Sequence, residues 1–449
     1  MLDHDPPSEL TTDPIAVSGV EAQAESLGSD TTPSCPDGSD SGSLSRRELL
    51  ARGVALGAAG LVAVSTVGRT AHAQEAQSGK HDAEKSNAAR MPTALLGRRT
   101  GVKVSRLAMG GSWGVDSEVV AVGLEQGINY LDTAESYGPS ERNFGKFLNS
   151  IGATGHSKER KKLWIVSKTH DHHNLERRLP DRLERLQQDY LDCYYMHQIQ
   201  DPTLPTSPEI QMAAQNMKKA GKIRFFGFSC HDGNVVECLN AAADSTFIDV
   251  VMFRYDYHYF KSDDLNRAID RCVKAGIGLV AMKTQVGGMT LPDRFNPFKQ
   301  RGLSQHQAAI KAVAADERIT AICSEMTNVD QMTQNAEAVA SKLTIAEAEA
   351  IREHARQVSH LWCRGCDHLC RAASGVGAQI AVADTLRFLM YHDHYGKPDH
   401  ARRLFSELPE ASRDLTVIAN ADWHAAEAAC PYHVPVAKLM ARAKDRLGS

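Results

Sequence analysis

Residues 163–197 read LWIVSKTHDHHNLERRLPDRLERLQQDYLDCYYMH. An apolar run, LWIVSK, leads through the helical-period segment DRLERLQQD into a second apolar run, DCYYMH. Strands this continuously apolar are covered on both faces, which is the condition of a parallel sheet wrapped in helices. The same unit recurs along the chain. NYLDTA precedes it, and IRFFGFS, DVVMFRY, GLVAMK and ITAICSE follow, separated by segments such as EIQMAAQNMKKAG and DDLNRAIDRCVKAG that end in Gly, the usual residue after a helix. Upstream, TALLGRRTGVKVSRLAMGG reads as a short hairpin around Gly101 running into a buried strand that ends at Gly110-Gly111. Eight strand–helix units across residues 92–341 predict a closed (β/α)8 barrel of the TIM type, in the α/β class. The rival, an open doubly wound sheet, lacks the G-x-G-x-x-G that would open its first helix.

In such a barrel the polar residue at each strand's C-terminal tip faces the active site. Here the tips are Trp113, Asp132, Lys168, His197, Ser229, Arg254 and Lys283. The 449 residues allow a barrel plus a further unit. With 51 basic against 55 acidic side chains, nucleic acid is excluded as the main partner. No strongly apolar run reaches the roughly 18 residues of a spanning helix, so no membrane span is expected.

Carbonyl reduction by a nicotinamide needs a proton donor at the developing alkoxide. A tyrosine, with a free pKa near ~10, needs help to act as that acid. A lysine ammonium would lower its pKa, and an aspartate would keep the lysine charged and in place. Tyr137, Lys168 and Asp132 supply these three parts. GINYLDTAESYGPSERNFG, SKTH and RLERLQQDYLDCYYMHQIQD closely resemble signature segments of the aldo-keto reductases, and the similarity spans residues 92–341. The resemblance implies that Asp132, Tyr137, Lys168 and His197 form a catalytic tetrad in which His197 orients the carbonyl oxygen of a small carbonyl or alcohol substrate. It also implies NAD(P)H, with Gly111, Ser112, Trp113, Ser229, Glu325 and Asn335 at the cofactor, Ser229 on the carboxamide and Asn335 on the adenine. The chain departs from the family at Cys230, where asparagine is common, and at Arg254, where glutamine is common. Glu325 and Gln331 stand where many NADPH-using members carry lysine and arginine. A carboxylate repels a 2′-phosphate but accepts a bond from a free ribose hydroxyl, which tilts the expectation to NADH or to weak dinucleotide binding.

Cys363, Cys366 and Cys370 have C-x2-C-x3-C spacing, and Cys430-Pro431 follows after 59 residues. Thiolates so spaced suit zinc, with Cys430, His360 or His368 as the fourth donor, or an iron–sulfur cluster. In bacterial-type ferredoxins three close cysteines take their fourth partner from a distant Cys-Pro, which favours the cluster. VADTLRFLMYHDHYG and EAACPYHVPVAKLMARA resemble the C-terminal ferredoxin-like extension of one aldo-keto reductase branch, which implies a helical extension with one [4Fe-4S] cluster on Cys363, Cys366, Cys370 and Cys430. Asn420, Trp423 and Ala426 stand where that branch has the cysteines of a second motif.

Residues 1–44 hold nine acidic side chains and no lysine or arginine, a composition expected to be disordered. SRRELLARGVALGAAGLVAVSTVGRTAHA follows, with a basic start at Arg46 and Arg47, an apolar middle and a small-x-small end at Ala71-His72-Ala73, the layout of a signal peptide. It resembles the twin-arginine signal, which implies that folded, cofactor-loaded protein is handed to the twin-arginine export machinery and works in the periplasm. The expected organisation is therefore an acidic tail (1–44), a signal peptide (45–73), a linker (74–91), a barrel (92–341) and a helical iron–sulfur extension (342–449). Two functions remain open on sequence: a carbonyl–alcohol oxidoreductase with a possible redox partner, or a non-catalytic or electron-transfer barrel that scaffolds the metal site.

Overall fold

The computed structural model describes residues 91–112, 114, 116–231, 234–285, 298, 300–358, 362–394 and 396–448. The acidic tail, the signal peptide, the linker before Met91, Trp113 and His360 lie outside the described residues.

Two short antiparallel strands, β1 (Thr93–Leu95) and β2 (Lys103–Ser105), come first, joined by a single helical turn. That turn ends at Gly101, whose φ of 65° is a left-handed conformation open to glycine without steric cost. Eight parallel strands then close into a barrel: β3 (Leu107–Gly110), β4 (Tyr130–Asp132), β5 (Trp164–Thr169), β6 (Leu191–Met196), β7 (Ile223–Cys230), β8 (Val250–Arg254), β9 (Gly278–Met282) and β10 (Ala321–Glu325). Closure is made by β10 pairing with β3, in the register Glu325 to Gly110. The strands alternate with eight helices: α1 (Ser117–Glu125), α2 (Ser140–Ser150), α3 (Leu175–Leu186), α4 (Pro208–Lys219), α5 (Val235–Asp244), α6 (Asp263–Ala275), α7 (Gln305–Ala314) and α8 (Val329–Ala340).

Strand side chains alternate between two separate cores, as a period of two requires. Ala108, Tyr130, Trp164, Val166, Cys193, Tyr195, Val250, Met252, Val280 and Ala321 fill the barrel interior. Their neighbours Leu107, Leu131, Ile165, Tyr194, Val251 and Ile322 face outward to the helices. Leu96 and Val104 of the hairpin join the interior cluster, and Thr320 Oγ1 donates to Leu95 O at 3.2 Å, so the hairpin plugs the N-terminal end of the barrel. Only the opposite end is left for chemistry.

Beyond α8 the described chain is helical: α9 (Ile345–Val358), α10 (Asp367–Ala373), α11 (Val382–Asp393), α12 (Pro398–Ser406), α13 (Leu415–Asn420), α14 (Trp423–Ala428) and α15 (Val436–Leu447). Its core, including Trp362, Ile380, Phe388, Trp423 and Met440, is continuous with Tyr257, Ala308 and Ala312 of the barrel. A fully buried ion pair, Lys311 to Glu347 at 3.1 Å, ties α9 to α7. Trp423 and Ala426, two of the missing second-motif cysteines, are packed in this core, and Trp423 Nε1 donates to Ile418 O at 2.6 Å.

Candidate active site

The inward row of each strand continues past the hydrophobic interior into polar residues. Two residues beyond buried Tyr130, Val166 and Tyr195 come Asp132, Lys168 and His197. The period of two that fills the core therefore also aims these three side chains into the mouth. Lys168 Nζ donates to Asp132 Oδ1 at 2.7 Å and to Thr133 O at 2.8 Å, and both side chains are almost wholly enclosed. Tyr137 lies on the turn after β4, which is pinned by Glu135 N donating to Lys168 O at 3.0 Å and Tyr137 N to Ala134 O at 3.1 Å. Its hydroxyl is 3.5 Å from His197 Nε2. The four residues that the sequence singled out meet at one end of the barrel.

The electrostatics differ from the expectation in one respect. The phenol of Tyr137 is pushed well above its usual value, first by burial and then by the Asp132 carboxylate, with Cys323, Glu325 and Tyr391 adding to it. Lys168 was expected to pull it down. Its ammonium hydrogens are instead directed to Asp132 and Thr133, and it reaches Tyr137 only across the ring, 4.9 Å from the centroid. Burial likewise raises Asp132, while Lys168 opposes that shift. His197 falls well below 6.5, mainly from burial, then from Lys168 and the histidines at 170, 231 and 172. Its imidazole is therefore neutral at neutral pH, and its Nδ1 is a buried atom that finds no partner among the described residues.

Residues that carried no motif support this set. The His170 ring stacks on His197 with centroids 4.1 Å apart, and His172 Nε2 lies 2.8 Å from His197 O. Cys323 Sγ, on the inward row of β10, is 3.6 Å from Asp132 Oδ1. Glu135 receives Thr169 Oγ1 at 2.8 Å and a bond from Arg182, which also meets Glu141 at 3.2 Å. The doubled polar character of the stretch TH-DHH was the only sequence signal for the histidines.

The cofactor candidates are placed unevenly. Gly111 is buried, and a Cβ there would meet Ser140 Oγ at 2.3 Å, so glycine serves packing between β3 and α2. Ser112 donates to Glu325 at the rim where β3 and β10 adjoin. Ser229 Oγ accepts from Gln198 N at 3.0 Å, and Cys230 packs outward in the helix-facing core. Gln331 is turned back on its own helix start, where its Oε1 accepts from Thr327 N at 2.9 Å. Asn335, the residue expected at the adenine, is also hydrogen-bonded inside the protein. It is 3 % exposed, its Nδ2 donates to Ser324 Oγ at 3.1 Å, and its Oδ1 accepts from Gln285 Nε2 at 3.2 Å. One N–H and one lone pair of its amide are thereby used inside the protein.

Cys363, Cys366, Cys370 and Cys430 are free thiols; Cys363 and Cys366 lie within electrostatic reach of each other and of both Cys370 and Cys430. Burial, then in Cys366 and Cys370 the neighbouring sulfurs, holds Cys363 up at about 11 and the other two at about 12. Cys363 Sγ accepts from Gly365 N at 3.3 Å and Cys370 Sγ donates to Asp367 O at 3.2 Å, while His368 is exposed. Among the described residues, no three His, Cys, Asp or Glu side chains are grouped so as to hold a metal ion. The extension thus gathers the four cysteines without closing them into a ligand set.

The aldo/keto reductase family model matches residues 116–297. Among characterised and uncharacterised relatives, an oxidoreductase of Bacillus subtilis, YrpG, is 28% identical over 226 residues, covering 44% of this chain and 68% of its own. The L-galactose dehydrogenase of Arabidopsis thaliana is 23% identical, covering 58% of this chain and 94% of its own. Among solved structures, the holo form of the aldo-keto reductase AKR11C1 from Bacillus halodurans aligns with a TM-score of 0.47 at 22% identity, over 59% of this chain and 96% of its own. The thermostable aldo-keto reductase Tm1743, in complex with the inhibitor epalrestat, aligns with a TM-score of 0.48 at 26% identity, over 59% of this chain and 99% of its own. With the family match running through the strands that carry Asp132, Lys168 and His197, the chain is an oxidoreductase of aldo/keto reductase type.

Proposed function

We propose that the chain interconverts a small carbonyl and its alcohol with a nicotinamide dinucleotide, NADH in preference to NADPH. The observation that carries this reading is the enclosed Lys168–Asp132 pair at 2.7 Å with Tyr137 and His197 beside it at the open end of the barrel. In reduction, the bound dinucleotide would supply the hydride to the carbonyl carbon. Neutral His197 donates a hydrogen bond to the carbonyl oxygen, and the oxygen takes its proton from the Tyr137 hydroxyl as negative charge develops. Because Tyr137 keeps its proton throughout the neutral range, it starts in the form that reduction needs. Lys168 lies 4.9 Å from the centre of the Tyr137 ring, and Asp132 holds Lys168 in place.

The rim fits a dinucleotide that lacks a 2′-phosphate. Glu325 and Asp330 place carboxylates at the end of β10 and the first turn of α8, where a 2′-phosphate would be repelled. Wild-type protein should therefore turn over faster with NADH, and Glu325→Lys with Gln331→Arg should move the preference towards NADPH. Steady-state kinetics with both dinucleotides check this, and a strong wild-type preference for NADPH would refute the charge argument. One observation favours a non-catalytic barrel, namely that Asn335 is committed to interior bonds. Protein that neither binds nor consumes a dinucleotide decides for that reading.

We further propose that Cys363, Cys366, Cys370 and Cys430 hold one [4Fe-4S] cluster, and that the twin-arginine machinery exports the loaded protein to the periplasm. The electrostatic reach of Cys363 and Cys366 to each other and to Cys370 and Cys430 supports the first part; as placed the four are not a closed set, and no step of the carbonyl chemistry depends on a cluster. Protein purified without oxygen should contain about four irons and four sulfides per chain. Cys430→Ala should lower both, while replacing buried Cys193 or Cys272 should not. One zinc per chain in place of iron would withdraw the cluster and leave the tetrad untouched.

A further inference from the structure

The enclosed carboxylate of Asp132 is reached by a second side chain besides Lys168. In the barrel, β3 stands between β10 and β4. Cys323 of β10 is paired with Ala108 of β3, and Gly110, two residues on, is paired with Asp132 of β4. Ala108 fills the interior, so the alternation of the strand turns Gly110 inward as well. A Cβ at Gly110 would lie 3.4 Å from Cys323 Sγ and 3.2 Å from Ser324 O, so the thiol lies against the place where any other residue would carry its side chain. With only a hydrogen there, Cys323 extends across β3 and brings Sγ to 3.6 Å from Asp132 Oδ1.

The surroundings of Asp132 give this contact weight. The residue is 2 % exposed. Its Oδ1 accepts from Lys168 Nζ at 2.7 Å, and its Oδ2 is a buried atom with no hydrogen-bond partner among the described residues. An ionised carboxylate has about four acceptor sites, and each one left empty inside a protein costs stability. Other titratable groups face it without bonding to it. Tyr137 lies on the turn after β4, Tyr130 lies below on the same strand, and Tyr195 comes from β6. Tyr130 and Tyr195 bond each other at 2.9 Å, while Glu325, further along β10, accepts from Ser112. Lys168 and Cys323 are therefore the side chains bonded to Asp132 among the described residues. Burial, then the Asp132 carboxylate, holds the Cys323 thiol well above its usual value, so the proton stays on sulfur. The S–H is the donor, and the larger radius of sulfur makes 3.6 Å a bonding separation.

We propose that Cys323 is a positioning residue of the reaction: its thiol donates to Asp132, and Asp132 in turn keeps Lys168 in place beside Tyr137. Burial raises Asp132, and Lys168 and the Cys323 bond both act against that rise. Without the thiol the carboxylate takes up a proton at higher pH, and the uncharged acid no longer pairs with the Lys168 ammonium. The consequence for turnover rests on the carbonyl-reduction reading, whereas the contact itself does not.

The S–H stretching band in the infrared falls where proteins otherwise absorb little, and it moves to lower frequency when the thiol donates. Difference spectra of the full chain, wild type minus Cys323→Val, isolate the Cys323 band from those of the other cysteines. Asp132→Asn is compared in the same way with its own Cys323→Val double variant. There the band should rise, because a neutral amide is a weaker acceptor than a carboxylate. In wild type it should rise as acid protonates Asp132. Circular dichroism confirms that each variant is folded. Cys323→Val and Cys323→Ala both lack the donor and change the volume in opposite senses. Both should lower kcat for carbonyl reduction by about threefold to tenfold with KM little changed, and both should shift the acid limb of kcat/KM upward by about half a pH unit to one unit. A Cys323 band that neither Asp132→Asn nor acid moves overturns the inference. A wild-type rate and acid limb in Cys323→Ala leaves the cysteine as filler and also overturns it. A band that Asp132→Asn moves, in protein that reduces no carbonyl, upholds the contact and overturns the carbonyl-reduction reading.

Discussion

Tyr137→Phe should leave a folded protein whose carbonyl turnover is reduced by about 10²- to 10⁴-fold, the usual contribution of a positioned general acid. The substitution removes one oxygen, whose nearest partner is His197 Nε2 at 3.5 Å, so little packing is lost. Undiminished turnover in this variant would show that the tetrad is not the catalytic apparatus. The pH profile of the wild type gives a second check. His197 loses its proton well below 6.5, so kcat/KM for reduction should pass through pH 6.5 without a descending limb and fall only at more acid pH. Tyr137 is displaced upward, so the donor proton should persist across the neutral and mildly alkaline range. A downward break near 6.5 would mean that an ordinary, exposed histidine controls the rate.

The largest expected effect on stability is at Arg160. This guanidinium is fully enclosed, bonds Asp192 Oδ2 at 2.7 Å, Leu163 O at 3.3 Å and Tyr190 O at 3.0 Å, and lies 4.1 Å from the Tyr190 ring centroid. Asp192 also accepts from Ile165 N at 2.9 Å and from Arg224 at 2.6 Å, knitting the starts of β5 and β6 together. Arg160→Met strands a buried carboxylate and should cost about 3–5 kcal/mol, seen as a lower urea midpoint. Arg160→Met with Asp192→Leu should recover part of that loss, because no uncompensated charge is then left inside. Since the pair sits at the far end of the strands from the mouth, the folded fraction of Arg160→Met should keep its kcat. Unchanged stability would mean that Arg224 alone satisfies Asp192.

How far each feature could be read in the chain depends on the range of the interaction behind it. The segment NYLDTA became β4 and LWIVSK became β5, both ending in the polar residue that faces the mouth. These were legible because strand periodicity and burial on two faces are local properties, written into every second residue. The four site residues could be singled out for the same reason, as tips of strands whose inward row was already known. The helical character of the extension was also visible, in stretches such as VADTLRFLMYHDHYG.

Other features had no local signature. The bonds of Asn335 to Ser324 and Gln285, which come from other segments, could not be read from the chain. The acidity of Tyr137 was read from the presence of a lysine, whereas the shift depends on where that lysine sends its hydrogens and on how much water the mouth excludes. Arg387 and Tyr391 are four residues apart on one helix, a spacing that says they share a face and nothing of what the face meets. The sequence by itself determined the barrel, its open end and the residue types placed there, because side-chain alternation and strand–helix length are encoded residue by residue. Only the tertiary structure decided the protonation of those residues and the meeting of α11 with His231 and Lys283, because both depend on distances between groups far apart in the chain, as Arg387 and His231 are at 156 positions.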